Sequence, residues 1–237
     1  MKNIHKVALP LMLSFAACFS VAPIQAQEEA QDATANFGSQ TGQQYEFSYS
    51  KLYTQLKNNL SEGHPDIRVG FFFQERDTKE TCQIVKAWMS KDKHYEEFDI
   101  PATQELVVPL DNNLRQVGPT VYASLEHGKS CDFAMVVMTK EPLSGTVTYQ
   151  QIQSLLPQMS KMYRDLGGMF SRWFAPDVIG LTLEFSNLEK GEIQVSDGRT
   201  IHIQNNRAQL SLSDLQVGDT ITLPASTFRV LPLLAHD

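Results

Sequence analysis

Tyr49, Leu52 and Leu56 of this 237-residue chain recur one hundred positions later as Tyr149, Ile152 and Leu156, each set at the i, i+3, i+7 spacing of a helix face. At the same offset, Val117-Gly118-x-Thr120-Val121 returns as Val217-Gly218-x-Thr220-Ile221. A helix pattern and a strand pattern that share one offset predict two related units. Each unit cannot be more than a helix and a small set of strands. The expected fold class is therefore α+β: two related β-rich units, each preceded by a helix, with antiparallel sheets.

In the first unit Ser50 to Leu60 reads as helix, and Ile67 to Gln74, Thr81 to Ser90, Tyr95 to Ile100, Glu105 to Leu110, Thr120 to Leu125 and Phe133 to Met138 read as strands. In the second, Ile179 to Phe185, Glu192 to Val195, Arg199 to Ile203, Ala208 to Leu212, Thr220 to Leu223 and Thr227 to Leu231 read the same way. The stretch "VSDGRTI" constrains a register. A two-residue Asp197-Gly198 loop would set Ile193 against His202, whereas a three-residue loop with Gly198 in the left-handed region sets Ile193 against Ile201. The apolar match selects the second.

The longest regular pattern is a helix expected over Ser154 to Phe174. Met159, Met162, Tyr163, Leu166, Phe170, Trp173 and Phe174 share one side, and Lys161, Arg164, Asp165 and Arg172 the other. Pro157 has no amide donor, so this helix is expected to start or kink there. Gly167-Gly168 inside the pattern reads as a close-packing site or a hinge. The apolar stripe either covers the second sheet or belongs to a movable helix that offers Met162, Phe170 and Trp173 to a partner or a lipid.

Met1 to Ile24 has the order of a secretory signal: two lysines, an apolar run, then small residues. Two processing sites compete. Cys18 follows Phe15-Ala16-Ala17 and could be lipidated, but the apolar run continues past it through Ile24, and a cut after Ala26 fits small-residue cleavage better. The expected division is 1-26 signal peptide, 27-43 flexible leader, 44-142 first α+β unit and 143-237 second α+β unit. Loss of Lys2 and Lys6 with the signal moves the formal net charge from −7 to −9. Such a chain is a poor binder of nucleic acid, and no stable membrane span is expected in what is left. Removal of Cys18 leaves Cys82 and Cys131, which in an oxidising compartment are expected to pair.

Motifs that carry chemistry are missing from the sequence. Neither H-E-x-x-H nor a phosphate-cradling glycine loop occurs, no two of His64, His94, His127, His202 and His236 sit at metal-ligand spacing, and no cofactor is expected. The densest cluster is "EHGKSCD", Glu126 to Asp132. Read as chemistry, His127 activates Cys131 as a nucleophile; read as structure, it is a polar hairpin loop before a cysteine that forms half of a disulfide. "RDTKE" and "SKDKHYEE" read as solvated turns.

The segments "QYEFSYSKLYTQL" and "VGFFFQERDTKETCQIVKAWM" resemble a family of exported gammaproteobacterial proteins known as a domain of unknown function. That resemblance implies an envelope protein with no assigned reaction, and it brings no catalytic positions. The expected function is a periplasmic, non-enzymatic binding or scaffolding component of the cell envelope, whose partner or ligand the sequence does not name. The alternative is an envelope hydrolase with a site in the groove between the two halves. For the export reading, mass spectrometry of the mature protein should find an amino terminus at Gln27. A diacylglyceryl group on Cys18 would overturn that site.

Overall fold

Alternating apolar residues with short polar breaks give this chain mostly antiparallel sheet and few helices. The computed structural model describes residues 41–167 and 177–235. The first half runs β1 (Thr41–Ser48), α1 (Tyr49–Leu56), β2 (Ile67–Glu75), β3 (Ile84–Lys91), β4 (His94–Phe98), α2 (Asn112–Val117), β5 (Thr120–Glu126) and β6 (Cys131–Thr139). Then come β7 (Thr146–Thr148), α3 (Tyr149–Gly167), β8 (Val178–Glu184), β9 (Lys190–Val195), β10 (Thr200–Gln204), β11 (Arg207–Ser211), β12 (Thr220–Thr222) and β13 (Arg229–Leu234).

Among the described residues three sheets form, with orders β1-β5-β3-β4, β2-β6 and β13-β8-β11-β10-β9-β12-β7. Where β1 runs into α1, Ser48 pairs with Thr120 and the Tyr49 amide donates to the Pro119 carbonyl. Where β7 runs into α3, Thr148 pairs with Thr220 and the Tyr149 amide donates to the Asp219 carbonyl. Beyond these pairs β5 adds β3 through Val121 and Met89, and β12 adds β9 through Ile221 and Val195. Strand β2 pairs with β6 as β8 pairs with β13. The second half has one strand more. Strand β11 bridges β8 and β10, which makes a single sheet of what is a sheet and a separate ribbon in the first half.

The β2-β6 ribbon sets the packing. On one face of β2, Ile67 and Val69 enter a core with Ile152, Met159, Met162, Leu181, Leu183 and Leu210. Further along that face, Phe71 and Phe73 enter a different core with Tyr49, Leu52, Leu106, Val121 and the two cysteines. On the opposite face Phe72 meets Val136, Met138 and Leu231 of β13. Five consecutive buried residues from Val69 to Phe73 follow from this, since a strand covered on both faces has no solvent position to give to a polar side chain. Gly70 lies in that run, where a Cβ would come within 2.6 Å of Glu105 Oε1 and of Met138 Cε.

Several expectations hold and others are corrected. Ile193 pairs with Ile201, and Gly198 takes φ 92°, as the three-residue loop requires. Strand β1 begins at Thr41, inside the stretch read as leader. Over Glu105 to Leu110 no strand forms: Pro101 and Pro109 have no donors, Gln104 takes φ 60°, and the Leu106 amide alone reaches β2, at the Phe71 carbonyl. Helix α3 starts at Tyr149, as the helix face of Tyr149, Ile152 and Leu156 requires and ahead of the Ser154 expected from the amphipathic stripe, because Thr148 and Gln151 cap it reciprocally. The Gln151 amide donates to Thr148 Oγ1 at 3.2 Å and the Thr148 amide to Gln151 Oε1 at 2.8 Å. Pro157 then sits inside the helix. Near the other end, buried His64 lies 3.3 Å from Asp165, which also accepts from Lys161 at 2.7 Å.

Cys82 and Cys131 are joined, with Cα atoms 6.4 Å apart and a sequence separation of 49. The bond closes the ribbon end that faces the first core. Reduction should cost roughly 4 kcal/mol through the entropy returned to the unfolded chain. Because β2 belongs to both cores, that loss should appear as a lower midpoint of one cooperative transition in calorimetry. Two transitions of which one ignores the reductant would show that the ribbon does not couple the halves.

Candidate functional site

The clusters that the sequence offers as chemistry are structural where the fold places them. The Cys131 sulfur is held in the disulfide and is no nucleophile, and His127 stands on an exposed turn with Gly128 at φ 92°. Glu126 pairs with Lys129 across that turn at 3.6 Å. At the same ribbon tip Arg76 donates twice to Asp132, at 2.9 and 3.1 Å. That hydrogen bond holds the Asp132 carboxyl below its ordinary range. Met162 is fully buried in the second core, while Phe170 and Trp173 lie outside the described residues.

Between the halves lies a cavity of about 50 Å³ lined by Arg68, Phe72, Glu105, Met138, Phe228 and Arg229 among others. Both oxygens of Glu105 are taken by Arg68, at 2.6 and 2.8 Å. Glu184, beside it, accepts from Arg229 at 2.7 Å and from Arg207 at 2.5 Å. The Arg229 guanidinium lies 4.9 Å from the Phe72 ring and 5.4 Å from the Phe228 ring, so it is sandwiched by aromatic faces. The Glu184 clamp fastens β8, β11 and β13 together, and the Arg68 clamp ties Glu105 to β2, so both carboxylates are held by arginines. Among the described residues no group of three His, Cys, Asp or Glu could hold a metal ion.

The arrangement that packing does not explain is on the outer face of β1-β5-β3-β4. Alternation puts Ala87, Met89, Val121 and Ala123 in the first core and turns Lys86, Trp88, Tyr122 and Ser124 outward. The register then assembles rows across the sheet. Gln44, Ser124 and Lys86 form one row, and Glu46, Tyr122, Trp88 and Glu97 the next. Trp88 stacks on Tyr122 with centroids 5.1 Å apart and planes 10° from parallel, and Tyr95 continues the row at 6.4 Å. Lys86 Nζ caps two of these rings, 5.8 Å from Trp88 and 5.6 Å from Tyr95.

An open groove of about 560 Å³ runs beside this aromatic row, lined by Gln44, Val85, Lys86, Trp88, Tyr95, Glu97 and Ser124. Its charges are balanced. Lys86 Nζ lies 3.2 Å from Glu97, whose other donor is the Tyr95 hydroxyl at 3.0 Å. The hydroxyl first, and then Lys86, hold the Glu97 carboxyl below its ordinary value. The extra residue at Val85 breaks the β3-β5 register and leaves that side chain on the rim, 47 % exposed. Sequence reading passed over this face because its rings come from three strands. The signal available was Trp88 between Lys86 and Ser90, an aromatic on the polar phase of a strand.

A pH dependence follows from Glu97. A carboxyl with a depressed folded-state pKa adds stability that is present above the unfolded value of about 4.3 and is lost as pH falls through the folded value. Replacement of Tyr95 by Phe removes the hydroxyl that donates to Glu97. Carboxyl-carbon NMR titration should then find the Glu97 pKa raised toward the ordinary value, and an unchanged pKa would show that the hydroxyl contact is not made in solution.

The family model described as "Protein of unknown function (DUF2987)" matches residues 41–185, from the first residue of β1 to just past the end of β8. No curated protein and no solved structure matches the chain. With more than half of its length covered, the chain belongs to the DUF2987 family of proteins of unknown function.

Proposed function

We propose that the protein is a non-enzymatic binding component of the cell envelope, exported to the periplasm, and that the groove beside Trp88 is its recognition face. One observation carries this reading: the second half builds the same four-strand frame without the aromatic row. In β7-β12-β9-β10, Thr222 pairs with Gln194 where Tyr122 pairs with Trp88, and Gln194 pairs with Thr200 where Trp88 pairs with Glu97. Stacked cross-strand rings contribute about 0.5–1.5 kcal/mol beyond their burial, so they would help any sheet. A frame that stands with Gln and Thr does not depend on them.

The comparison assumes that the two halves descend from one duplicated unit, each a strand, a helix and a β set. The matching pairs at offset 100, Ser48 with Thr120 and Thr148 with Thr220, support that descent. So do Gly118 and Gly218, which take φ 65° and 99° just before the paired strand in each half. The paired cysteines fit an oxidising compartment. Among the described residues no helix is long and apolar enough to cross a membrane.

A photo-crosslinking residue placed at Val85 should capture a partner, whether a protein or a polysaccharide, in living cells. The same residue at Glu192, on the outer face of the second half, should capture none. Equal yield at both positions, or no adduct of either kind at Val85 together with no ligand bound in vitro, would overturn the assignment of the groove.

A further inference from the structure

We infer that the occupant of the Trp88 groove is a glycan chain of low net charge, a reading that rests on the groove being the recognition face. The groove has two kinds of surface side by side. Trp88 and Tyr95 line it, with Tyr122 stacked behind Trp88, and Tyr95, 55 % exposed, offers the most open ring of the three. Beside these rings Gln44, Ser124, Lys86 and Glu97 supply an amide, a hydroxyl, an ammonium and a carboxylate within the same groove. Ser124 is 5 % exposed and lies at the floor.

A saccharide matches both surfaces at once. The C–H face of a pyranose ring packs on an aromatic, while its ring hydroxyls reach donors and acceptors at the edge. Other classes fit less well. A protein partner that presents an apolar patch to the rings would cover Gln44, Ser124, Lys86 and Glu97, and each polar group left unpaired by such burial costs about 1–3 kcal/mol. An anionic lipid surface or a nucleic acid would need surplus positive charge, but the groove holds one lysine already paired with a glutamate at 3.2 Å. A small free metabolite is usually enclosed over most of its surface. This groove is open, and it crosses β1, β5, β3 and β4 instead of following an edge, so a polymer can lie through it with both ends in solvent.

The test uses the full mature chain with Trp173→Phe, which leaves Trp88 as the sole tryptophan of the two in the sequence. Tetraoses of β-1,4-linked N-acetylglucosamine, β-1,4-linked glucose and α-1,4-linked glucose are titrated while Trp88 emission is followed. Detergent-washed peptidoglycan sacculi are tested by co-sedimentation. At least one should bind, with Trp88 emission shifted by the soluble sugars. The double change Trp88→Gln with Tyr122→Thr copies the residues that the second half uses at these positions, so the fold should survive. It should weaken binding by at least about tenfold in co-sedimentation or calorimetry. Trp88→Phe, which keeps a ring, should retain part of the affinity.

Binding to none of the four probes, while the Val85 crosslinker captures a protein in cells, would overturn the glycan inference and leave the recognition face standing. Binding that survives Trp88→Gln with Tyr122→Thr would also overturn it. Failure of both the probes and the crosslinker would remove the recognition face as well.

Discussion

Nine consecutive residue pairs join β2 to β6, and the face they share runs from one hydrophobic core into the other. A two-stranded ribbon alone is marginal in water, so its stability comes from what packs on it. Helix α3 lies against the end that carries Ile67, Val69 and Val137, while Tyr49, Leu125 and the disulfide enclose the end that carries Phe71 and Phe73. Neither core is complete without its part of the ribbon. The remaining strands close around it, and the face proposed for recognition lies on the outside of the β1-β5-β3-β4 sheet.

Charge is used differently inside and outside. Between the halves Glu184, with 9 % of its side chain exposed, sits between two arginines, and Arg68 grips Glu105 with both of its terminal nitrogens. Removal of one member of such a set would strand a buried charge, whereas the complete set adds little net stability. Such contacts fix orientation more than they add strength. On the outer face Lys86 and Glu97 are also paired, yet they remain hydrated. Paired in this way, they leave little net charge beside the aromatic row.

How much of this was legible in the sequence depended on how local the determinant was. The Ile193 to Ile201 register follows from one turn and its apolar neighbours, and it could be read directly. The disulfide needed only a count of cysteines and a compartment. The start of helix α3 was legible in one pattern and missed in another: the repeat puts Tyr149, Ile152 and Leu156 on a helix face, whereas the amphipathic stripe read around Pro157 begins at Ser154, and the Thr148 and Gln151 cap is made of residues common in loops. Glu105 to Leu110 alternates like a strand, but its prolines deny it a ladder. The aromatic row was out of reach, because the meeting of Trp88 with Tyr122 depends on a pairing between strands 34 positions apart and on the added residue at Val85. The reading of Phe170 and Trp173 as partner contacts lies on residues that the structure does not describe.

The partners of the central ribbon are far apart in the chain, with 64 positions from Ile67 to Cys131. A growing chain that emerges at roughly 5–20 residues per second would therefore hold Phe71, Phe72 and Phe73 without their strand partner for roughly 3–13 s. Three adjacent aromatics in a β-prone, uncharged segment are an aggregation hazard for as long as they are uncovered. Structure that is central to the finished molecule is thus its most vulnerable stretch while the chain is being made, until the last ribbon strand arrives.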